Sequence, residues 1–244
     1  MGKYDSTKTR VIPLFDYISS DKQKLNRMLS LINPEVKVDS SIISTAYGKN
    51  EKAIPPSPSL LKWCIRNFRS LNQKRNELSK EKSPETYKQR EDLFSGNLDT
   101  INDAIKKIDE NPKAQKKWYI FEGYTHPDIF IETNDCLLIG EAKRTENKIT
   151  DETEWLKPRD QLIRHIDALI DNNNSTKNIF SFYLIDRKME SEYNMNRYKD
   201  YNYYEKSLPH RDKKEIEKIY QTYIGYTCWD TLEKVFGIDF PDTI

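Results

Sequence analysis

The sequence predicts an α/β fold, a mixed sheet between layers of helix, and three observations carry that prediction. The hydrophobic period changes from helical to strand-like near Trp118 and returns to helical near Lys157. The run IFSFYLID, Ile179 to Asp186, is almost continuously apolar, as expected of a strand covered on both faces. Helical patterns precede and follow the strand-like segments, so each face of a sheet has helices to cover it.

Taken in order, residues 21–32 place Leu25, Met28, Leu29 and Ile32 on one helical face, and Pro34 stops that helix. Gly48, Pro55, Pro56 and Pro58 mark a connection. Ser59 is then expected to cap a helix with Leu61, Ile65, Phe68 and Leu71 along one side and Lys74 and Arg75 in its last turns. Residues 84–110 read as one or two further helices, broken near Ser95-Gly96.

From Trp118 onward, KWYIFEG, DIFIET and CLLIGEAKR read as a meander of three strands, with Asn134-Asp135 as the turn between the last two. A helix from Lys157 to Asp171 follows, with Leu162, Ile166, Leu169 and Ile170 on its apolar face, and Asn172 to Thr176 breaks it. Beyond the Ile179 strand, Tyr193 to Tyr204 reads as a tyrosine-rich loop. An amphipathic helix carries Ile216, Ile219, Tyr220 and Tyr223, and Asp230 with Glu233 suits the capping box of a last helix ending at Gly237. The expected division is a helical region over 1–96 packed on a core over 97–244 that holds the strands and the C-terminal helices.

Composition narrows the function classes. With 36% hydrophobic, 32% charged and 11% aromatic residues, the 244-residue chain is polar but foldable. A net charge of +1 advertises no polyanion partner globally, so any nucleic-acid surface must be local. Cys64, Cys136 and Cys228 lie far apart without CxxC spacing, which suits a reducing compartment and not a zinc site. No apolar run approaches the ~18 residues of a membrane span, so a cytoplasmic protein is expected.

The stretch HPDIFIETNDCLLIGEAKR concentrates the chemistry. If Asn134-Asp135 forms the turn, Thr133 faces Cys136 and the same pairing sets Asp128 opposite Glu141. Opposed residues share a face with Cβ atoms about 4.5–5.5 Å apart, and alternation puts Lys143 on that face too. Two carboxylates so close repel unless one is protonated or a cation lies between them. Oxygen ligands with open positions suit Mg²⁺ or Mn²⁺, which polarises a phosphoryl oxygen and lowers the pKa of a bound water. Lys143 is suited to orient or deprotonate that water or to stabilise charge at phosphorus. A cross-strand ion pair at an exposed sheet edge is the alternative reading of the same residues.

Acid-x-Lys also occurs at Glu35-Lys37, Glu146-Lys148, Asp186-Lys188 and Asp212-Lys214, but only Glu141-Lys143 follows Pro127-Asp128 across an apolar hairpin. That combination resembles the PD-(D/E)XK nuclease superfamily, restriction-endonuclease-like proteins, and the likeness spans roughly residues 97–186. The resemblance implies an α-β-β-β-α-β core with a mixed sheet, metal held by Asp128 and Glu141, and catalysis by Asp128, Glu141, Lys143 and Gln161. Gln161 enters as the polar residue expected from the following helix. EAKRTE followed by RDQLIRHID is similar to an uncharacterised branch of the superfamily.

The expected activity is Mg²⁺- or Mn²⁺-dependent hydrolysis of DNA, with RNA left open, by an endonuclease of restriction or phage defence. The alternative is an inactive nuclease-like scaffold that binds nucleic acid. A further protein supplying recognition or translocation and a second copy of the chain are the other expected partners. Additional acidic ligands are sought among Glu122, Glu91, Asp99 and Asp103. His126, His165, Arg144, Arg159 and Arg164 are candidates for phosphate or site contacts, and Arg197, Lys199 and Lys206 among the tyrosines for base and phosphate contacts.

Overall fold

The computed structural model describes residues 5–113, 117–173 and 176–243, without the side chains of residues 75 and 78. The side chain of Arg75 at the expected basic helix end, and Asn174 and Ser175 of the expected breaker, therefore lie outside what is described. Helices α1 (Ile12–Ile18) and α2 (Lys22–Ile32) open the fold. Asp21 caps α2, its carboxylate accepting from the backbone N–H groups of Gln23 and Lys24 at 2.9 and 3.2 Å.

Strand β1 (Ile42–Tyr47) comes next, then α3 (Pro58–Arg66), α4 (Lys74–Lys82), α5 (Pro84–Ser95) and α6 (Leu98–Glu110). The hairpin β2 (Ile129–Thr133) and β3 (Cys136–Ala142) precedes α7 (Gln161–Asn172) and β4 (Asn178–Ile185). The chain ends through α8 (Glu190–Tyr193), α9 (Tyr201–Ser207), α10 (Lys213–Tyr220), β5 (Tyr223–Cys228) and α11 (Trp229–Phe236).

The five strands form one mixed sheet in the order β1-β2-β3-β4-β5. The first three run antiparallel to their neighbours and the last two join in parallel. Every residue of β3 is buried, as expected of a central strand covered on both sides. Alternation along it divides the core. Leu137 and Ile139 meet Leu162, Ile163 and Ile166 of α7. Leu138 and Ala142 meet the other layer, where Phe15 of α1, Met28 of α2 and Trp229 of α11 pack. A third cluster joins α3, α5 and α6 through Leu61, Leu93 and Ala104. Asp171 near the end of α7 ties this layer to the sheet domain, accepting from Ser57 and Ser59 at the start of α3.

Several sequence expectations are corrected. KWYIFEG is not a strand: its side chains Tyr119 and Phe121 fill the helical-layer cluster beside Phe68 and Trp155, and an isolated bridge to Ile54 forms only beyond it, at Thr125. The third meander strand is instead β1, so residues 1–96 are not wholly helical. Ser57, not Ser59, caps α3, and the expected long helix divides into α3, a short turn at Phe68–Ser70, and α4.

The tyrosine-rich stretch is helical turns rather than loop, with Tyr193, Tyr198 and Tyr204 buried. Tyr223 lies on β5, not on the preceding helix. The capping box belongs to Asp212 and Glu215 at α10, whereas α11 starts beyond Cys228 without a side-chain cap and ends at Gly237. No helix among the described residues is long and apolar enough to cross a membrane.

Candidate active site

The hairpin register brings one sheet end together. Ile129 pairs with Gly140 and Ile131 with Leu138, which continues to Asp128 opposite Glu141, the predicted pairing. Because β1 runs antiparallel to β2 with Tyr47 against Ile129, the residues that follow β1 reach the same end of the sheet. Gly140 is required here. A Cβ on it would stand 2.6 Å from the Phe182 ring and 2.9 Å from Ile129, so only glycine lets these side chains pack beside Glu141.

Glu141 is fully buried, and α7 completes its surroundings. Its Oε1 lies 2.7 Å from Nε2 of His165, and its Oε2 accepts from the Lys143 ammonium at 3.0 Å. Lys143 Nζ also donates to Gln161 Oε1 at 3.1 Å. Asp160 caps α7 by accepting from Ile163 N–H, which fixes Gln161 as the first helical residue and turns it to the hairpin. The backbone N–H of Gln161 is held by Thr150 O at 2.9 Å. Asp128, half-buried, accepts from Ala142 N–H at 2.8 Å through Oδ2.

Electrostatics separate the two carboxylates. Burial and then the charge of Glu141 push Asp128 well above the usual carboxylate range. Burial would raise Glu141 as well, but Lys143 and His165 outweigh it and hold the group at about 2. Lys143 is itself pushed upward, since Glu141 and Asp128 overcome its desolvation. It is therefore an ammonium at neutral pH. The ordinary ion-pair reading of Glu141 and Lys143 describes a real contact, but it is buried and not at an exposed edge.

Sequence reasoning missed one contributor, Glu51, and left another, His165, without a partner. Glu51 follows the turn after β1, and its carboxyl is raised by burial, then by Glu141 and Asp5. Its signal in the sequence was only its place beyond an unrecognised strand. His165 was a candidate without an assigned contact, and the structure gives it one. Its Nδ1 meets Thr125 Oγ1 at 2.5 Å, and Thr125 accepts from Arg164 Nε at 3.2 Å. With Thr125 donating to Nδ1, Nε2–H donates to Glu141.

Other candidates fall elsewhere. Glu122 grips the buried guanidinium of Arg159 at 2.8 and 2.9 Å, so neither is placed to meet a metal or a phosphate. Glu91 accepts from Asn76, Asp103 pairs with Lys107 on α6, and Asp99 is exposed in the first turn of that helix. His126 is exposed, whereas Arg144 is buried against Thr9. Tyr198 and Tyr203 donate to buried Asp160, and Arg197 donates to Tyr193 O, so this part of the tyrosine stretch serves the core; Lys199 and Lys206 are exposed.

The donor set consists of hard carboxylate oxygens from Asp128 and Glu141, with Glu51 near them. Among the described residues, no group of three or more His, Cys, Asp or Glu side chains stands in an arrangement that could hold a metal ion by itself. Two carboxylate donors suit a cation that leaves most positions to water and substrate, as Mg²⁺ does. Comparison with protein families, with curated proteins and with solved structures yields no match.

Proposed function

We propose that this chain is a metal-dependent nuclease that hydrolyses phosphodiester bonds of DNA. The observation that carries the reading is the bonded set Glu141, Lys143 and Gln161, assembled from a strand end and a helix start beside Asp128. The chain order of elements supports it. Over residues 97–186, where the core was expected, only two strands precede α7; with α3 to α6 set aside, α2, β1, β2, β3, α7 and β4 give the helix, three strands, helix and strand of a PD-(D/E)XK core.

Asp128 and Glu141 would hold Mg²⁺ or Mn²⁺, which supplies Lewis-acid polarisation of a phosphoryl oxygen and an acidified water. Lys143, held as an ammonium, stabilises negative charge that develops on the phosphoryl group. That assignment is favoured over proton abstraction because Glu141 and Asp128 raise its affinity for the proton. Gln161 fixes the ammonium from the helix side, and His165 fixes the Glu141 carboxylate from behind. An endonuclease of restriction or phage defence is the biological role this chemistry suits.

The test is incubation of supercoiled plasmid, linear duplex and single-stranded RNA with the chain, in EDTA and across a Mg²⁺ and Mn²⁺ titration. Metal-dependent nicking absent in Glu141→Gln supports the proposal. Equal cleavage by parent and variant, or none on any substrate, rejects it.

A further inference from the structure

A groove of about 1150 Å³ lies between the helical layer and the loops that precede β2 and α7. Its walls come from α4, the start of α5, residues 117–123 and residues 152–157, with Arg164 of α7 also lining it. This volume exceeds the ~300–1000 Å³ of ordinary small-molecule sites. Cations outnumber acids on its walls. Lys74, Lys82 and Lys117 line it, are exposed, and form no ion pair among the described residues. Three acids lie on its walls: Glu122, held by buried Arg159, Glu152, paired with Lys157 at 2.8 Å, and Glu154. A chain of net charge +1 thus sets six cationic side chains (Lys74, Lys82, Arg90, Lys117, Lys157 and Arg164) against three acids in one concavity.

We infer that this groove seats a single nucleic-acid strand. Its phosphates meet Lys74, Lys82 and Lys117, and a base stacks on the half-buried ring of Trp118. A duplex keeps its bases stacked inside and cannot offer one to a ring set in a concavity. The groove is also joined to the candidate active site. Arg164 on its wall reaches Glu141 through Thr125 and His165, so an occupant touches a side chain three hydrogen bonds from the carboxylate. The choice of nucleic acid among polyanions rests on the nuclease reading; the charge and shape of the groove do not.

The test is fluorescence anisotropy with a labelled oligothymidylate and a duplex of equal length, in EDTA, over a salt series with the full chain. Charge reversal of the three lysines (Lys74→Glu, Lys82→Glu, Lys117→Glu) is expected to weaken strand binding at least tenfold. It should lower the salt slope by about 2, at about 0.7 per phosphate contact for single strands. The triple Lys→Gln variant should give a smaller loss in the same direction, which guards against a folding defect in the first. Trp118→Leu should weaken binding several-fold with the slope unchanged.

Binding by the reversed variant within twofold of the parent overturns the groove, and so does a duplex preferred tenfold over the strand. The two proposals fail separately. Lysine-dependent strand binding by a chain that never cleaves keeps the groove and removes the nuclease reading. Cleavage by the reversed variant with the parent's KM keeps the nuclease and removes the groove.

Discussion

Nε2 of His165 lies 2.7 Å from Oε1 of Glu141, and both side chains are completely buried. The contact joins the central strand to α7 across the sheet face where the candidate chemistry sits. Removal of the imidazole in His165→Ala leaves a buried carboxylate oxygen without its partner, a loss of about 1–3 kcal/mol. For a chain of this size each kcal/mol lowers Tm by about 2–4 °C. Cleavage should fall in the same variant, and His165→Gln, which can still donate, should recover part of both. Thermal unfolding and plasmid nicking on the three proteins measure this.

Asp128 has the opposite energetic sign. Burial and Glu141 raise its folded pKa, so its contribution to stability is present below the unfolded value of ~3.9 and is lost as pH rises through the folded value. Asp128→Asn retains an oxygen to accept from Ala142 N–H but carries no charge. It should abolish metal-dependent cleavage while matching or exceeding the parent's stability at pH 7. The fall in stability that the parent shows as pH rises above ~3.9 should be smaller. Urea denaturation at a series of pH values tests the sign, since a variant less stable than the parent at pH 7 contradicts it.

Glu141 behaves conversely. Held at about 2, it contributes stability that is full above the unfolded value of ~4.3 and is lost as pH falls toward 2. Glu141→Gln should therefore be destabilised most at neutral pH, with the gap to the parent closing in acid. The same urea series reads this out.

Lys143→Met should keep binding of an oligonucleotide while losing turnover by on the order of a hundredfold or more, the effect of removing one donor aimed at developing charge. Gln161→Ala should lose less, because it orients Lys143 without carrying charge. Single-turnover cleavage at saturating Mg²⁺ separates these effects from binding. Full turnover by Lys143→Met would return the lysine to a purely structural ion pair.

A structural control lies apart from the site. Asp167 is fully buried and accepts from Arg159, His210 and Arg211. Asp167→Asn removes the acid that, with Glu122, balances the buried Arg159 and should cost about 3–5 kcal/mol. The variant's folded fraction should retain normal specific cleavage, measured after correction for that fraction by circular dichroism.

The hairpin and its register were legible in the sequence because they are local. Asn134-Asp135 sets the turn, and once the turn is placed the period of two decides that Asp128 meets Glu141 and that Lys143 shares their face. Likewise α2 follows from apolar spacing and the stop at Pro34, and the division of residues 84–110 into α5 and α6 follows from the break at Ser95-Gly96.

Only the tertiary structure could decide what lies far apart in the chain. The edge strand β1 is mostly exposed on its outer residues, carries no alternating apolar signature, and finds its partner β2 more than eighty residues later. That pairing carries Glu51 to the acidic pair, and no local pattern announces it. The aromatic run from Trp118 to Phe121 looks like a strand because burial selects the same residues, but a helical layer claims them. His165 and Glu122 show the same limit: each could face several neighbours, and packing of α7 on the sheet gives Glu141 to one and Arg159 to the other. Sequence determines which side chains carry charge or must be buried, whereas the pairing of buried charges depends on contacts that form only when distant elements pack.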